Sequence, residues 1–296
     1  MAYALSCLRG FESDPAKTSP QPPMMRWLLL AGMVTILLTE SLHAEQLKPE
    51  TVAAFDHYVE LSEQRMELEV RSRPFLRIDG LPGKDWDAAL SRLKTGEVVV
   101  ERMETLDQGH RISVPSGLIH HWIGTVFIPG VTLAQTVTFL QDYDDRAKFY
   151  APAVERSKLI QRSGDNFKMY MRLREKKILT IVLDTDYDIT YTSLGPDRTM
   201  CRSVTTRLAQ VENDGQKDEF SKPVGNDSGF MWRLNTYWRM KQRDGGTYVQ
   251  LEAISLSRDI PAALVWLIGP FVNRFPRESL EFTLGRTREG LLGKHN

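Results

Sequence analysis

Residues 117–130 read Gly-Leu-Ile-His-His-Trp-Ile-Gly-Thr-Val-Phe-Ile-Pro-Gly. The β-branched and aromatic residues of this stretch are typical of a strand, and its final Pro-Gly is typical of a turn. Comparable stretches recur along the chain. The predicted strands cover residues 97–103, 118–128, 167–173, 178–191, 200–208, 230–240 and 248–256. The turn signal Asp244-Gly245-Gly246 predicts a hairpin between the last two, so the strands form an antiparallel meander.

Helices are predicted on both sides of the strands, wherever apolar residues recur at three- and four-residue steps. They cover residues 49–66, 85–95, 131–149 and 276–291. A strand, a helix, a long antiparallel run and a final helix predict the α+β class. Within that class we expect a curved antiparallel sheet wrapped around a long C-terminal helix, preceded by an N-terminal helical extension.

The N-terminal region has the pattern of a secretory signal. Arg26 is followed by twelve residues without a charge, 27–38, and Ala44 supplies a small residue for cleavage. Glu40 interrupts the apolar run before it reaches the roughly 20 residues that span a membrane. We therefore predict a signal peptide at 1–44 and a periplasmic or secreted product. An uncleaved N-terminal anchor in the inner membrane is the alternative.

The predictions divide the chain into three segments. Residues 1–23 show no apolar periodicity and fit a misassigned start within the signal at 1–44. Residues 45–105 are predicted to form a helical extension or cap. Residues 106–296 are predicted to form the main domain, which contains the sheet and the C-terminal helix.

The net charge limits the classes of partner, and the cysteine content limits the disulfides that can form. Removing residues 1–44 takes away three basic and three acidic residues from 38 of each, so the remaining chain is neutral. A neutral chain lacks the electrostatic field that gathers phosphate backbones, so no nucleic acid partner is expected. Of the two cysteines only Cys201 remains, which excludes an intrachain disulfide.

Three segments carry a resemblance to a known family: 117–130, Leu140-Gln141-Asp142-Tyr143 and Leu256-Ser257-Arg258-Asp259-Ile260-Pro261. They resemble the START-like helix-grip superfamily, known also as SRPBCC, which includes polyketide cyclases and lipid-transport proteins, and most of all its exported bacterial members. The resemblance spans roughly residues 110–292. It implies a deep cavity between the sheet and the C-terminal helix that holds a sterol, phospholipid, polyketide or other apolar molecule. Both carriers and enzymes have this fold, so the fold alone does not indicate which of the two this protein is.

The period of two along a strand predicts which side chains face such a cavity. The apolar side chains of residues 167–173 share one face, while basic ones share the other and oppose the acidic residues of 184–188. The predicted ligand-facing residues are Met169, Met171, Leu183, Trp232, Leu234, Trp238, Trp266, Phe271 and Leu284. Trp266 and Phe271 are expected just before the final helix. Ordinary core packing is the other interpretation of the same residues.

Four polar residues stand within these strands and are candidate polar groups of the cavity: His121, Arg233, Tyr237 and Glu252. In an enzyme of the polyketide cyclase kind, they would supply acid–base catalysis there. Strand alternation also puts Arg233 and Tyr237 on the face opposite Trp232 and Trp238, where they would form an outward salt bridge. A buried pair of Arg233 and Glu252 would instead orient a polar head group.

No metal site and no cofactor are predicted. His120 and His121 are adjacent on a strand, so they point to opposite faces and cannot bind one metal together. Asp184, Asp186 and Asp188 begin like a calcium loop, but the glycine and the glutamate that complete such a loop are missing.

Two main hypotheses of function follow. The first is an exported binding or transport protein that holds a lipid-like apolar ligand and makes transient contact with a membrane. The alternative is a polyketide cyclase-like enzyme that uses acid–base residues in the same cavity. A third hypothesis is an interaction module whose cavity is closed by its own side chains.

Overall fold

The structure is a computed structural model that describes residues 45–72, 74–176, 180–260 and 265–293, with the backbone alone at 45, 72 and 265–273. The predicted signal peptide, residues 1–44, lies outside the described residues. No helix in the described part of the chain is both long enough and apolar enough to span a membrane.

An antiparallel sheet is the centre of the structure. The strands of the described residues are β1 (Glu45–Gln46), β2 (Val99–Arg102), β3 (Leu106–Asp107), β4 (His110–Arg111), β5 (Gly117–Pro129), β6 (Val154–Ser163), β7 (Asn166–Lys176), β8 (Thr180–Ser193), β9 (Arg198–Glu212), β10 (Phe220–Ser221), β11 (Asn226–Asp227), β12 (Arg233–Arg243) and β13 (Gly246–Arg258). The main sheet has the order β2-β5-β13-β12-β9-β8-β7-β6, with β10 added to β9. All its pairs are antiparallel, as predicted. The order is not a simple meander, because β5 pairs with β13 and not with β6, which forms the opposite edge.

The predicted hairpin joins β12 to β13. Asp244 and Gly245 both have positive φ, 55° and 74°, which is the backbone of a two-residue hairpin turn. Only small or flexible residues adopt this conformation readily, and the Asp-Gly pair supplies them.

The helices differ from the predicted ones in two places. They are α1 (Pro49–Ser72), α2 (Gly83–Lys94), α3 (Leu133–Leu140), α4 (Arg146–Tyr150) and α5 (Val265–Gly293), with a 3₁₀ turn at Arg77–Gly80. The predicted helix at 131–149 is two helices, because the backbone leaves the helical path after Leu140 and Arg146 donates to the Leu140 carbonyl at 2.6 Å. Helix α5 begins before the predicted 276, so Pro276 lies in its interior.

Helices α3, α4 and α5 cover one face of the sheet, which we call the inner face. Helix α5 approaches β5 closely at Gly124, where an added Cβ would lie 2.8 Å from Leu284 Cδ1 and 3.1 Å from Leu280 Cδ2. A sheet that holds a long C-terminal helix against one face is the helix-grip arrangement. The predicted α+β fold class is therefore confirmed.

The N-terminal segment covers the opposite face, which we call the outer face. Helix α1 buries Phe55, Tyr58 and Val59 against the sheet residues Ile254 and Leu256. Helix α2 and the 3₁₀ turn form a second apolar cluster with the sheet. The segment 45–105 thus sandwiches the sheet from the side opposite α5, and β2 within it pairs with β5.

The two edge strands of the main sheet are shorter, or more exposed and less regular, than the central strands. Strand β2 forms one edge and is four residues long. Strand β6 forms the other edge, is largely exposed, and pairs with β7 through two register shifts, between Val154 and Arg156 and between Leu159 and Gln161. Such irregularities bend and twist a strand locally.

Candidate functional site

The structure places the four polar candidates on the outer face, not toward α5. Gly124 of β5 faces α5, so His121, an odd number of residues away, faces α1. The ring of His121 lies 2.7 Å from Glu252 (Nε2 to Oε1) and 2.9 Å from the Tyr58 hydroxyl. Tyr237 shares this face and donates to Glu63 at 2.6 Å. Because of the strand register, these side chains do not line a cavity on the inner face.

A buried hydrogen-bond network joins α1 to the sheet at His121. The backbone N–H of Thr105 donates to the Tyr58 hydroxyl, at 2.8 Å. Both ring nitrogens of His121 therefore have a hydrogen-bond partner, the Tyr58 hydroxyl at Nδ1 and Glu252 at Nε2. Arg65 of α1 also pairs with Glu252.

The carboxyl group of Glu252 is ionised within this network. Burial by itself would raise its pKa, but the hydrogen bond from His121 and the charge of Arg65 outweigh burial and hold the pKa below its ordinary value. Glu69 extends the network, since its two oxygens lie 2.6 Å from Arg65 and 2.7 Å from Arg239. The network thus holds α1 against the sheet, and its role is structural.

Arg233 lies apart from this network. Its register partner on β13 is Leu256, whereas Glu252 lies opposite Tyr237, so the predicted alternative of an Arg233–Glu252 pair does not form. The guanidinium donates to the Trp232 carbonyl at 2.9 Å. Arg233 lines an open outer groove of about 440 Å³ with residues Leu47, Pro49, Val52, Ala53, Asp56, Val224 and Gly225.

Trp232 is not on the face predicted for it. The residue stands in a bend before β12 begins, so strand alternation does not apply to it. Its indole donates to Asp227 at 3.1 Å and its ring belongs to the cluster formed with Phe55 of α1. Trp232 is therefore part of the core beneath the N-terminal helix.

The other apolar candidates whose side chains are described lie on the inner face. Met169, Trp238 and Leu284 belong to one buried cluster, and Met171 packs at its margin. Leu183 is buried opposite Leu173, and Leu234 is half-buried on the face of Trp238. Trp266 and Phe271 lie within α5, rather than before it, and their side chains are outside the described residues.

Accessibility along β13 separates the two faces. On the outer face Tyr248, Gln250, Glu252 and Ile254 are all at most 1% exposed. On the inner face the strand is buried as far as Leu251, half-buried at Ala253 and Ser255, and buried again at Ser257. The half-buried residues of three neighbouring strands form the inner patch: His120, Trp122, Leu234, Thr236, Ala253 and Ser255.

A second inner feature is the half-buried Arg146, whose guanidinium lies among tyrosines. The Arg146 guanidinium carbon lies 4.8 Å from the ring centroid of Tyr143 and 5.7 Å from that of Tyr150. Its Nε is buried without a hydrogen-bond partner among the described residues, and so is the hydroxyl of Tyr187. Within the described part of the chain, no carboxylate forms an ion pair with Arg146.

The tyrosines around Arg146 are held in their protonated form. Burial raises the pKa of Tyr143 and of Tyr187 to about 12 in each case, and the nearby charge of Arg146 opposes both shifts. Tyr143 donates to Tyr191 at 3.2 Å. Sequence reasoning missed Arg146, because a charged residue on a short helix is ordinarily exposed and nothing in its spacing marks it.

Comparison with known proteins gives structural similarities only. No protein-family model matches the sequence. No curated protein matches it either.

Several solved structures are similar to this chain. A STAR-related lipid transfer protein from Xanthomonas axonopodis is 16% identical, with a TM-score of 0.41, over 65% of this chain and 98% of that one. The Zhui aromatase/cyclase from Streptomyces sp. R1128 is 10% identical, with a TM-score of 0.40, over 60% and 97%. Human STARD10 is 10% identical, with a TM-score of 0.40, over 72% and 80%.

Proposed function

We propose that this chain is an exported protein that binds a lipid-like apolar ligand on the inner face of its sheet. The observation that carries the proposal is the difference between the two faces. The outer face is sealed along β13, whereas the inner patch presents Trp122, Leu234 and Ala253 in a half-buried state. Binding sites for small ligands combine apolar side chains with polar groups that orient the ligand. The inner patch offers both, since His120, Thr236 and Ser255 lie among the three apolar residues.

Export supports the choice of a lipid. The signal pattern at 1–44 predicts delivery beyond the inner membrane. A binding protein in that compartment meets membrane lipids before it meets cytosolic metabolites. The alternative of a polyketide cyclase-like enzyme needs His121 and Glu252 as acid–base groups in the cavity. Both residues instead form hydrogen bonds or ion pairs beneath α1 on the outer face.

Native mass spectrometry of protein extracted gently from its own host tests the proposal directly. We expect an adduct with the mass of a lipid, and an increase in thermal stability when that lipid is added back, because a ligand that binds only the folded state stabilises it. Repeated ligand-free preparations whose melting temperature is unchanged by added lipids would contradict the proposal.

A variant that fills the inner patch tests the location of the ligand. Ala253 lies between Trp122 and Thr236 in the register of the sheet, so Ala253→Trp would occupy the space proposed for the ligand. We expect lipid affinity to fall about tenfold or more, since bulk added to a binding surface excludes its occupant. Ile160→Trp is the matched control, because Ile160 is 59% exposed on β6. Equal affinities of the two variants, measured by lipid titration, would place the ligand elsewhere.

A further inference from the structure

Two hydrogen-bond donors face the interior without an acceptor. One is the Nε–H of Arg146 and the other is the hydroxyl of Tyr187, and both atoms are buried without a partner among the described residues. Tyr187 as a whole is 3% exposed. Tyr187 lies within reach of the charge of Arg146, which acts on its hydroxyl. Buried polar groups are normally satisfied, so two such donors without a partner indicate a missing acceptor.

The chemistry of the pair specifies that acceptor. The guanidinium of Arg146 is always charged and only donates. Tyr187 keeps its proton near neutral pH, because burial raises its pKa to about 12. An oxyanion accepts from both groups and offsets the positive charge, whereas a cation or a neutral donor does neither.

The strand register connects this pair to the inner patch. Tyr187 lies opposite Thr205 of β9, whose hydroxyl accepts from the backbone N–H of Leu234 at 3.0 Å. Leu234 in turn lies opposite Ser255, so Tyr187 continues a row of the inner patch two strands further along. Two strand spacings correspond to about 10 Å. A β-bulge between Asp186 and Tyr187 shifts the register at this point, and bulges commonly re-aim side chains beside functional sites.

We infer that the ligand is an amphiphile whose oxyanion, a carboxylate or a phosphate, is held by Arg146 and Tyr187 while its apolar body lies along the inner patch. This inference rests on the proposed function and narrows it to acidic lipids. The head group would approach Nε of Arg146 and the hydroxyl of Tyr187. The rings of Tyr143 and Tyr150 would keep the guanidinium in place from the other side.

Three ligands with one apolar chain test the head group. Dodecanoic acid, dodecyl phosphate and dodecanol are titrated into the wild-type protein at neutral pH and measured by calorimetry. We expect one or both acids to bind about tenfold or more tightly than the alcohol, and the tighter acid identifies the head group. Similar affinity for all three would overturn the oxyanion site and leave the proposed function standing. Binding of none would overturn both.

Two variants locate the site. Arg146→Met and Tyr187→Phe each remove one donor and keep most of the side-chain volume, so we expect the preference for the acid to disappear while dodecanol binds within about twofold of wild type. Arg162→Met is the matched control, because Arg162 also stacks on a ring, 4.9 Å from the Phe167 centroid, but is exposed. Tyr187→Phe deletes a single oxygen and tests the site even if Arg146→Met does not fold. An unchanged preference in Tyr187→Phe would overturn the inference.

Discussion

Glu252 shows how one residue can resemble a catalytic group and yet hold a fold together. A buried carboxylate beside a histidine is a pattern that acid–base enzymes use. Here Glu252 also forms an ion pair with Arg65 of α1. The charge of Glu252 therefore stabilises the contact between this helix and the sheet. Removing one member of a buried ion pair costs about 3–5 kcal/mol, because the remaining charge stays buried without compensation.

Acid should therefore weaken the protein through Glu252. Its folded pKa lies below the ordinary value of 4.5, so its contribution is complete above pH 4.5 and is lost as the pH falls through the lower folded value. We expect Glu252→Gln to lose about 3 kcal/mol of stability near neutral pH. The variant should also lose less on acidification below pH 4.5 than the wild type does. Urea unfolding at a series of pH values measures both effects.

A surface carboxylate supplies the comparison for this prediction. Glu101 of β2 pairs with Arg77 at 2.8 Å, but both side chains are more than two-fifths exposed. We expect Glu101→Gln to change stability by no more than about 1 kcal/mol, as is usual for exposed pairs. If the two variants lose equal stability and show equal pH profiles, the network under α1 does not carry the energy assigned to it.

Among the elements, the contact of α5 with β5 depends on a single glycine. An added Cβ at Gly124 would overlap Leu284 of α5, so Gly124→Ala must push the helix away from the sheet. We expect a loss of about 1–3 kcal/mol in urea unfolding, the usual cost of overpacking a core. Gly285 is the matched control, since it lies in the helix with open space around its Cβ position. Gly285→Ala should raise stability by about 0.5–1 kcal/mol. A gain or no change in Gly124→Ala would mean that the helix can shift freely.

The strands and their faces were predictable because strand patterning is local. Alternation in β7 and β8 predicted cross-strand pairs of basic and acidic residues, and Lys168 lies 3.2 Å from Asp188 as expected. Strand β6 was missed, since its side chains are mostly exposed and polar and show no apolar period. Amphipathicity also marked α1 as a helix, but it does not say which surface the apolar side of a helix meets.

The site was less predictable than the fold. Its apolar wall follows from period two, and Met169, Trp238 and Leu284 do meet in one cluster. The position of its polar groups depends on which face of the sheet the N-terminal segment covers. The sequence marks His121 as a candidate cavity group but does not say which face residues 45–105 cover. Arg146 became visible only when the break between α3 and α4 placed its guanidinium under the helices.

Within the described part of the chain, the sheet is covered on both faces at its centre and on fewer sides toward β6. Local opening is expected where few apolar contacts protect the backbone. In hydrogen exchange we therefore expect the amides of β13, which pair on both sides, to exchange slowest. Those of β6 should exchange faster by orders of magnitude. Comparable protection in β6 and β13 would show that the sheet opens only as a unit.

The two sheet edges have a consequence for the self-association of this protein. A long, straight edge with free backbone groups is a template on which another chain can add a strand and begin to aggregate. Strand β2 offers only four residues for such growth, and the two register shifts of β6 interrupt its row of donors and acceptors. Both ends of the sheet are thus poor templates, and self-association by strand addition is discouraged by backbone geometry alone.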